Sequence, residues 1–343
     1  TDAAGAEIPV LYKGIRPLGM GNAFTAVADD ENSIFYNPAG LNSIEGFGGA
    51  GGFNPYLEYN KNAISFFGDL GDVADATTDT EQALLAADLL DKWLGKNLHL
   101  RTGVFPNVTW HNIGVGVLGQ GFFEGQVNDP LGSRTLDVHL GYDIALVVSG
   151  AYAFFDESLQ AGLTGKLVTR RSQERGYTIL DLVQQDGIDL SDLESETGFG
   201  LDLGFIYKLP FPVVRPTIGA AIQNIGDLDL GEGGTIDQRI NIGFGARPTI
   251  LFGEILLALD FVDITRNAGE DEDLGKRIHA GVEYRFPMIA SLRLGLNQGY
   301  PSYGAGLDFW MMRFEYAFYI EEIGAHAGQR ADRRNIFQFT IGL

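Results

Sequence analysis

Few residues of this chain are placed to do covalent chemistry. It has no cysteine, which removes thiolate catalysis, disulfides and Cys-ligated metals. Its histidines, His99, His111, His139, His279 and His326, form no H-E-x-x-H pair, and no serine stands in a G-x-S-x-G elbow. Gly19-Met20-Gly21-Asn22-Ala23-Phe24 places two glycines one residue apart, as a phosphate-cradling loop does. A dinucleotide fingerprint needs a third small residue where Phe24 stands, a buried strand before it and a βαβ rhythm after it. Lys13-Gly14-Ile15-Arg16-Pro17-Leu18 is no buried strand, and no such rhythm follows. His139 and His279 read as hydrogen-bonded wall residues, so no enzyme and no cofactor are expected. Glu270-Asp271-Glu272-Asp273 lacks the spacing of a calcium loop and reads as solvated charge.

Composition narrows the partners. The 24 basic and 45 acidic side chains leave a formal charge of −21, against the basic face of a nucleic-acid binder. Cationic partners, or divalent ions held at an anionic lipopolysaccharide surface, remain. The chain starts Thr1-Asp2-Ala3-Ala4, which suggests a mature terminus after export cleavage. The longest uncharged run of the alternating body, 144–155, is far short of the roughly 20 residues of a membrane helix. If the chain is in a membrane, it is there as a barrel.

The elements that would position any site have a period of two. From 136 to 154 one parity reads Leu136, Val138, Leu140, Tyr142, Ile144, Leu146, Val148, Gly150, Tyr152, Phe154. The other reads Asp137, His139, Gly141, Asp143, Ala145, Val147, Ser149, Ala151, Ala153. The same split recurs over 198–208 and 277–286. Such alternation is a half-buried strand, and several segments reach the roughly 9–11 residues that a tilted strand needs to cross a bilayer. Tyr or Phe often stands near their ends, where interfacial aromatics belong.

Connections then set the topology. Long polar stretches fall near 69–97, 125–135, 172–196, 225–238, 264–276 and 321–334. Short turns near 110–112, 155–157, 209–213, 248–253, 286–289 and 310–312 alternate with them, except for one modest outer turn near 298–302. Strands are expected at 98–110, 112–124, 136–154, 158–171, 197–209, 213–224, 239–248, 254–263, 277–286, 290–298, 303–310, 312–320 and 335–343. Residues 47–68 have room for one more, long or kinked, which gives fourteen. An even count with both ends on the short-turn, periplasmic side is what a bacterial outer-membrane barrel requires. Phe337, Phe339, Ile341 and Leu343 carry the alternation to the last residue.

The segment before the first strand resembles a known family. Gly14-Ile15-Arg16-Pro17-Leu18-Gly19-Met20-Gly21-Asn22-Ala23-Phe24-Thr25-Ala26-Val27-Ala28-Asp29-Asp30, with Ser33-Ile34-Phe35-Tyr36-Asn37-Pro38-Ala39-Gly40-Leu41, is similar to the N-terminal signature of the FadL-like outer-membrane superfamily. That group holds fatty-acid and hydrocarbon transporters and PorV-like barrels. Phe314-Glu315-Tyr316-Ala317-Phe318 and Ile323-Gly324 look more like the PorV-like branch. The resemblance implies a 14-stranded barrel with an internal plug: residues 1–46 as the hatch and 47–343 as the barrel. In that reading Gly19 and Gly21 let the backbone press against the wall, and Asn22 caps a short helix over 23–28. Phe24 lies on the apolar face of that helix, and Asn37-Pro38 ends a second turn. Arg16, Asp29, Asp30 and Glu31 face inward Arg239, Arg247, Arg277, Arg285, Arg293, Asp202 and Glu283. These charges either hold a movable plug or pair across the wall and never move.

Two of the long connections carry helical patterns. Thr78 with Glu81 makes a capping box before Leu85, Leu89 and Trp93. Ile179 and Leu182 begin a second apolar set within 177–194. Such faces must cover each other, the barrel rim, a ligand or a partner: either they pack mutually and cap the barrel, or they form a capture groove. The expectation is an all-β, 14-stranded antiparallel outer-membrane barrel with short external helices, passing a hydrophobic small molecule (or detergent) among outer-membrane lipids. The alternative is a PorV-like adaptor that docks a protein partner.

Overall fold

The computed structural model describes residues 7–44, 47–129, 132–184, 193–268, 273–287 and 289–342, with side chains left undescribed at 47–51 and 182–184. The period of two becomes one antiparallel sheet of sixteen hydrogen-bonded stretches. Two pairs of these stretches are halves of broken strands, so the wall has fourteen. β1 comprises Phe47–Gly51 and Tyr56–Asn60. β2 returns as Asn97–Val104 and Asn107–Trp110, pairing both halves of β1 in sequence. Then follow β3 (Ile113–Asn128), β4 (Thr135–Phe154), β5 (Leu159–Tyr177), β6 (Glu194–Lys208), β7 (Pro216–Gln223) and β8 (Arg239–Ala246). The rest are β9 (Glu254–Phe261), β10 (Ile278–Phe286), β11 (Ala290–Asn297), β12 (Tyr300–Phe309), β13 (Met312–Glu322) and β14 (Ala331–Ile341). β14 pairs with β1, Arg334 opposite Asn60, and closes the sheet. Closure leaves no row of unpaired backbone groups, the condition for strands in lipid.

Side-chain parity decides which solvent this barrel meets. Leu294 on β11 is 62% exposed on the outside, while neighbouring Arg293 is 5% exposed within. On β4, Ile144, Leu146 and Val148 face out, and Ala145, Val147 and Ser149 are buried. An apolar exterior around a polar lumen is the pattern of an outer-membrane barrel. Trp110, Phe155, Phe211, Phe252 and Trp310 stand exposed at the short-turn end, as an interfacial girdle would.

The helices are α1 (Ile15–Gly19), α2 (Ser33–Tyr36), α3 (Lys61–Ala74), α4 (Asp79–Trp93) and α5 (Ile179–Gln184). Strands outlast their expected limits at the long-loop end: β3 runs to Asn128, β5 to Tyr177, and β14 starts at Ala331. β1 instead stops at Asn60, whose side chain accepts the Ala63 N–H at 2.8 Å and starts α3, a helix absent from the sequence reading. α4 is the expected helix. Thr78 Oγ1 accepts the Glu81 N–H, and the Glu81 carboxylate reaches back to Thr77 rather than to Thr78. The later part of the helical pattern in 177–194, and the acidic run at 270–272, lie outside the described residues.

One local expectation fails. Residues 23–28 form turns, not a helix. Asn22 takes a left-handed φ of 65° and its Oδ1 accepts from the Tyr36 hydroxyl at 2.6 Å, so it caps nothing. The N–H groups of Phe24 and Thr25 are instead bound by the Asp260 carboxylate of β9, each at 2.7 Å. The helix lies just upstream, as α1.

Candidate functional site: the filled lumen and its mouth

Residues 8–44 run inside the sheet, with Leu18, Met20, Phe24, Ile34 and Leu41 fully buried. Two ionic lattices join this segment to the wall. The lower one centres on Arg16, which pairs with Asp29 at 2.5 Å, Asp30 at 2.6 Å and Glu283 of β10 at 2.8 Å. Arg247 and Arg285 hold Asp29 from the wall at 2.8 and 3.1 Å, and Arg293 bridges Glu283 and Glu315. Arg313, which the sequence reading did not single out, takes Glu31 at 2.7 Å. Each buried charge here has at least one opposite partner, the condition for tolerating it away from water.

Of the remaining charges expected to face the segment, Arg277 and Asp202 pair elsewhere and Arg239 faces it across a small cavity. Arg277 bonds Asp263 at 3.2 Å and the Ala268 carbonyl, shaping the β9–β10 connection. Asp202 pairs with Lys166 of β5 at 2.7 Å. Arg239 lines a small cavity of about 50 Å³ beside Tyr12 and Tyr36.

The Gly19-Met20-Gly21 backbone lies against small wall residues. A Cβ added at Gly295 of β11 would strike the Gly21 nitrogen, and one at Gly281 of β10 the Met20 carbonyl. The Gly21 N–H donates to Ser302 Oγ of β12 at 2.9 Å. Asn37 caps with Oδ1 to the Ala39 N–H, and its Nδ2 donates to the Thr25 carbonyl at 2.7 Å. Pro38 starts the 3₁₀ turn Pro38–Ser43.

The upper lattice surrounds Glu7. Lys13 binds it at 2.7 Å and Arg334 at 2.6 Å, and Lys13 also reaches Glu321. Above this lattice opens a cavity of about 390 Å³. Its apolar wall is Pro9, Val10, Phe122, Ile236 and Ile323; its polar wall includes Arg101, Arg170, Arg330 and Arg334. One side is a ribbon, Leu228–Asp229 paired with Thr235–Ile236, folded inward from the β7–β8 connection with Leu228, Leu230 and Ile236 buried. By sequence 225–238 reads as an outward polar loop; Leu228, Leu230 and Ile236 are the signal against that.

Below the cavity Tyr12, Phe35, Tyr56 and Phe105 form an aromatic cluster, with ring centroids 4.6–6.3 Å apart. It abuts the place where β1 and β2 are both broken. There the Asn54 side chain replaces a missing rung of the ladder. Its Oδ1 accepts the Phe105 N–H at 2.6 Å and its Nδ2 donates to the Phe105 carbonyl at 2.5 Å. Pro55 and Pro106 flank this seam, and proline cannot donate to a ladder.

The external helices pack on one another and on the strand ends. Leu89 and Trp93 of α4 are buried, in one cluster with Phe66 of α3 and with Leu98, Phe123, Val127, Leu136 and Val138. Those strand residues have the outward parity, so the helices clad the outside of β2–β4 rather than roof the mouth. Leu85 and Ile179 are partly buried against the same cluster, and the side chain of Leu182 is outside the described set. The physical reason is strand length: β4 has 20 residues and β5 has 19, more than a bilayer needs, and the apolar faces beyond it must be covered.

These features define an outer-membrane β-barrel whose lumen holds its own N-terminal segment. Among solved structures the chain is similar to a TodX monoaromatic hydrocarbon channel deltaS2 mutant, at 10% identity over 96% of this chain and 97% of that one, TM-score 0.50. The Pseudomonas putida toluene transporter TodX aligns at 10% identity over 98% of both chains, TM-score 0.48. The likeness to the deltaS2 mutant is one of fold. No protein-family model matches the sequence, and no curated protein is similar to it by sequence.

Proposed function

We propose that this barrel passes a hydrophobic small molecule with an anionic head, fatty-acid-like in chemistry, inward across the outer membrane. The observation that carries this reading is the mouth cavity, where an apolar wall faces a polar one of four arginines with Glu7 and Glu124. The body of the cargo would lie on Val10 and Phe122 and its carboxylate between Arg101 and Arg330, whose Nε and Nη2, respectively, are buried without a partner. Arg170 and Arg334 are already held, by Asp143 and by Glu7 and Asp332. Below, the aromatic cluster leads toward the Asn54 seam, where a break in the wall would release the molecule sideways into the bilayer. Both termini would be periplasmic, residues 1–46 would act as a plug, and the long loops would meet lipopolysaccharide.

The test is uptake of a fluorescent fatty acid into liposomes carrying the purified protein. Phe122→Asp, with heat-modifiable gel migration retained, should cut the rate at least about tenfold, since a charge opposes the buried apolar body. Uptake unchanged by Phe122→Asp would refute the cavity as the entry site.

A second reading has its own support. Arg16 is held by three carboxylates, which suits a permanently shut barrel, and a shut barrel fits an adaptor that docks a protein partner. Stoichiometric co-purification of such a partner, with no uptake by the wild-type protein, would favour it.

A further inference from the structure

Strand register assembles a group that linear spacing conceals. His99 on β2 lies opposite Glu124 on β3, and Glu124 lies opposite His139 on β4. Residues directly opposed in a sheet project to the same face, and in this row that face is the lumen. Glu7 arrives from the N-terminal segment. A His99 ring nitrogen, one Glu7 oxygen and one Glu124 oxygen lie within 4.8 Å of one another. We propose that His99, Glu124 and Glu7, with His139 beside them, bind a zinc-class divalent metal that fastens the N-terminal segment to the wall.

The strongest sign is His99 itself. Its side chain is fully buried, yet Nδ1 has no hydrogen-bond partner. Nδ1 stands 3.7 Å from Glu124 Oε1, too far for a hydrogen bond. Ligands of a tetrahedral zinc ion, bonded at ~2.0–2.1 Å, stand ~3.3–3.4 Å apart. Closing this gap on a metal takes a few tenths of an ångström. Uncompensated burial of a ring nitrogen is costly, so a ligand there has a physical reason.

The other ring nitrogen supports the assignment. His99 Nε2 is 2.8 Å from Glu58 Oε1. Donation of the Nε2 proton to that carboxylate directs the Nδ1 lone pair into the cluster, the arrangement that orients metal-ligating histidines. Tyr319 in turn donates to Glu58. His139 Nδ1 lies 3.9 Å from Glu124 Oε2, and both side chains are part-exposed to the mouth cavity, which supplies an entry path.

Charge and donor type define the ion. Arg101, Arg334 and Lys13 are set against Glu7, Glu58, Glu124, Glu321 and Asp332, which leaves carboxylate charge for a cation. Imidazole with carboxylate suits zinc and its neighbours, whereas calcium and magnesium prefer all-oxygen sites. This inference does not depend on the transport reading.

Zn²⁺ is the probe, added to the purified full chain in detergent after chelator treatment and measured as metal retained on dialysis and as affinity by calorimetry. The wild type is expected to retain about one Zn²⁺ per chain. Glu124→Gln and Glu7→Gln should each weaken binding at least about tenfold, and Glu58→Gln by about 10–100-fold, through orientation of His99. Glu7 belongs to the segment rather than to the wall, so Glu7→Gln serves if Glu124→Gln fails to fold. Wild-type protein that retains no Zn²⁺, or that binds it no better than Glu7→Gln, would overturn the proposal.

Discussion

Arg16 of α1 and Glu283 of β10 are 267 residues apart in sequence and meet inside the barrel through two parallel bonds, Nε to Oε1 at 3.0 Å and Nη2 to Oε2 at 2.8 Å. Their side chains are 6% and 0% exposed. A paired guanidinium and carboxylate tolerate such burial, whereas one alone does not, because the survivor keeps its desolvation cost without its partner.

Arg16→Ala therefore leaves Asp30 without its arginine and thins the charge around Asp29 and Glu283. The expected loss is about 3–5 kcal/mol, concentrated in the N-terminal segment. It should appear as a lower heat-modification temperature on gels and as new protease cleavage within 7–44. Ion current through planar bilayers should rise as well. Current and cleavage equal to wild type would mean that the apolar contacts alone hold the segment.

Gly21 and Gly295 make a separate prediction that involves no charge. Gly21 has φ +67°, and its Cβ position is already filled by the carbonyls of Ala280 and Leu296. Gly21→Ala thus adds strain and overlap at once, costing about 1–3 kcal/mol. Gly295→Ala should have a similar effect by closing the same contact from the wall. If the two variants weaken the same contact, the double variant should destabilise by less than the sum of the singles. Additive losses would place the two effects in different contacts.

The outer helices offer a pH test. Asp69 of α3 accepts from Lys92 Nζ and from Trp93 Nε1, both at 2.8 Å, and these bonds hold its carboxyl below the usual carboxylate range. A depressed folded-state value means that the contribution is complete above the ordinary carboxylate pKa of ~3.9 and is lost as pH falls below it. Trp93 fluorescence, isolated by replacing Trp110 and Trp310 with Phe, should hold from pH 7 to 5 and change below about pH 4. Asp69→Asn should remove most of that transition. A transition at the same pH in Asp69→Asn would assign it to another carboxylate.

The barrel was legible because lipid imposes a strict parity: Leu292, Leu294 and Leu296 must face out, so Arg293 must face in. Loop alternation then left room for one strand in 47–68. Helix α3 was not legible, since Gly68 and Gly71 dilute its pattern and Asn60, its cap, reads equally well as a strand end. The row His99, Glu124, His139 could not be seen either. Alternation tells which face a residue takes, but only the register of three strands tells which residues share a level. Leu89 and Trp93 were found as an apolar face, yet what they cover depends on how far β3–β5 project beyond the membrane.

Asn54 carries the last prediction, on how the wall stays shut. A lateral passage requires the seam between β1 and β2 to part, and the two bonds from Asn54 to Phe105 are what the side chain contributes there. Asn54 is 4% exposed, so Asn54→Ala leaves the buried Phe105 N–H unpaired, at about 1–3 kcal/mol, while the Phe105 carbonyl keeps its bond from Asn107 Nδ2 at 2.8 Å. Asn54→Asp keeps an acceptor for the Phe105 N–H but sets a buried, unpaired carboxylate against the Phe105 carbonyl. If the seam is the exit, the alanine variant should raise fatty-acid uptake while lowering thermal stability, and the aspartate variant, with its buried charge, should do both at least as strongly. Reduced stability in the same order with an unaltered uptake rate would make Asn54 a structural stitch and move the exit elsewhere.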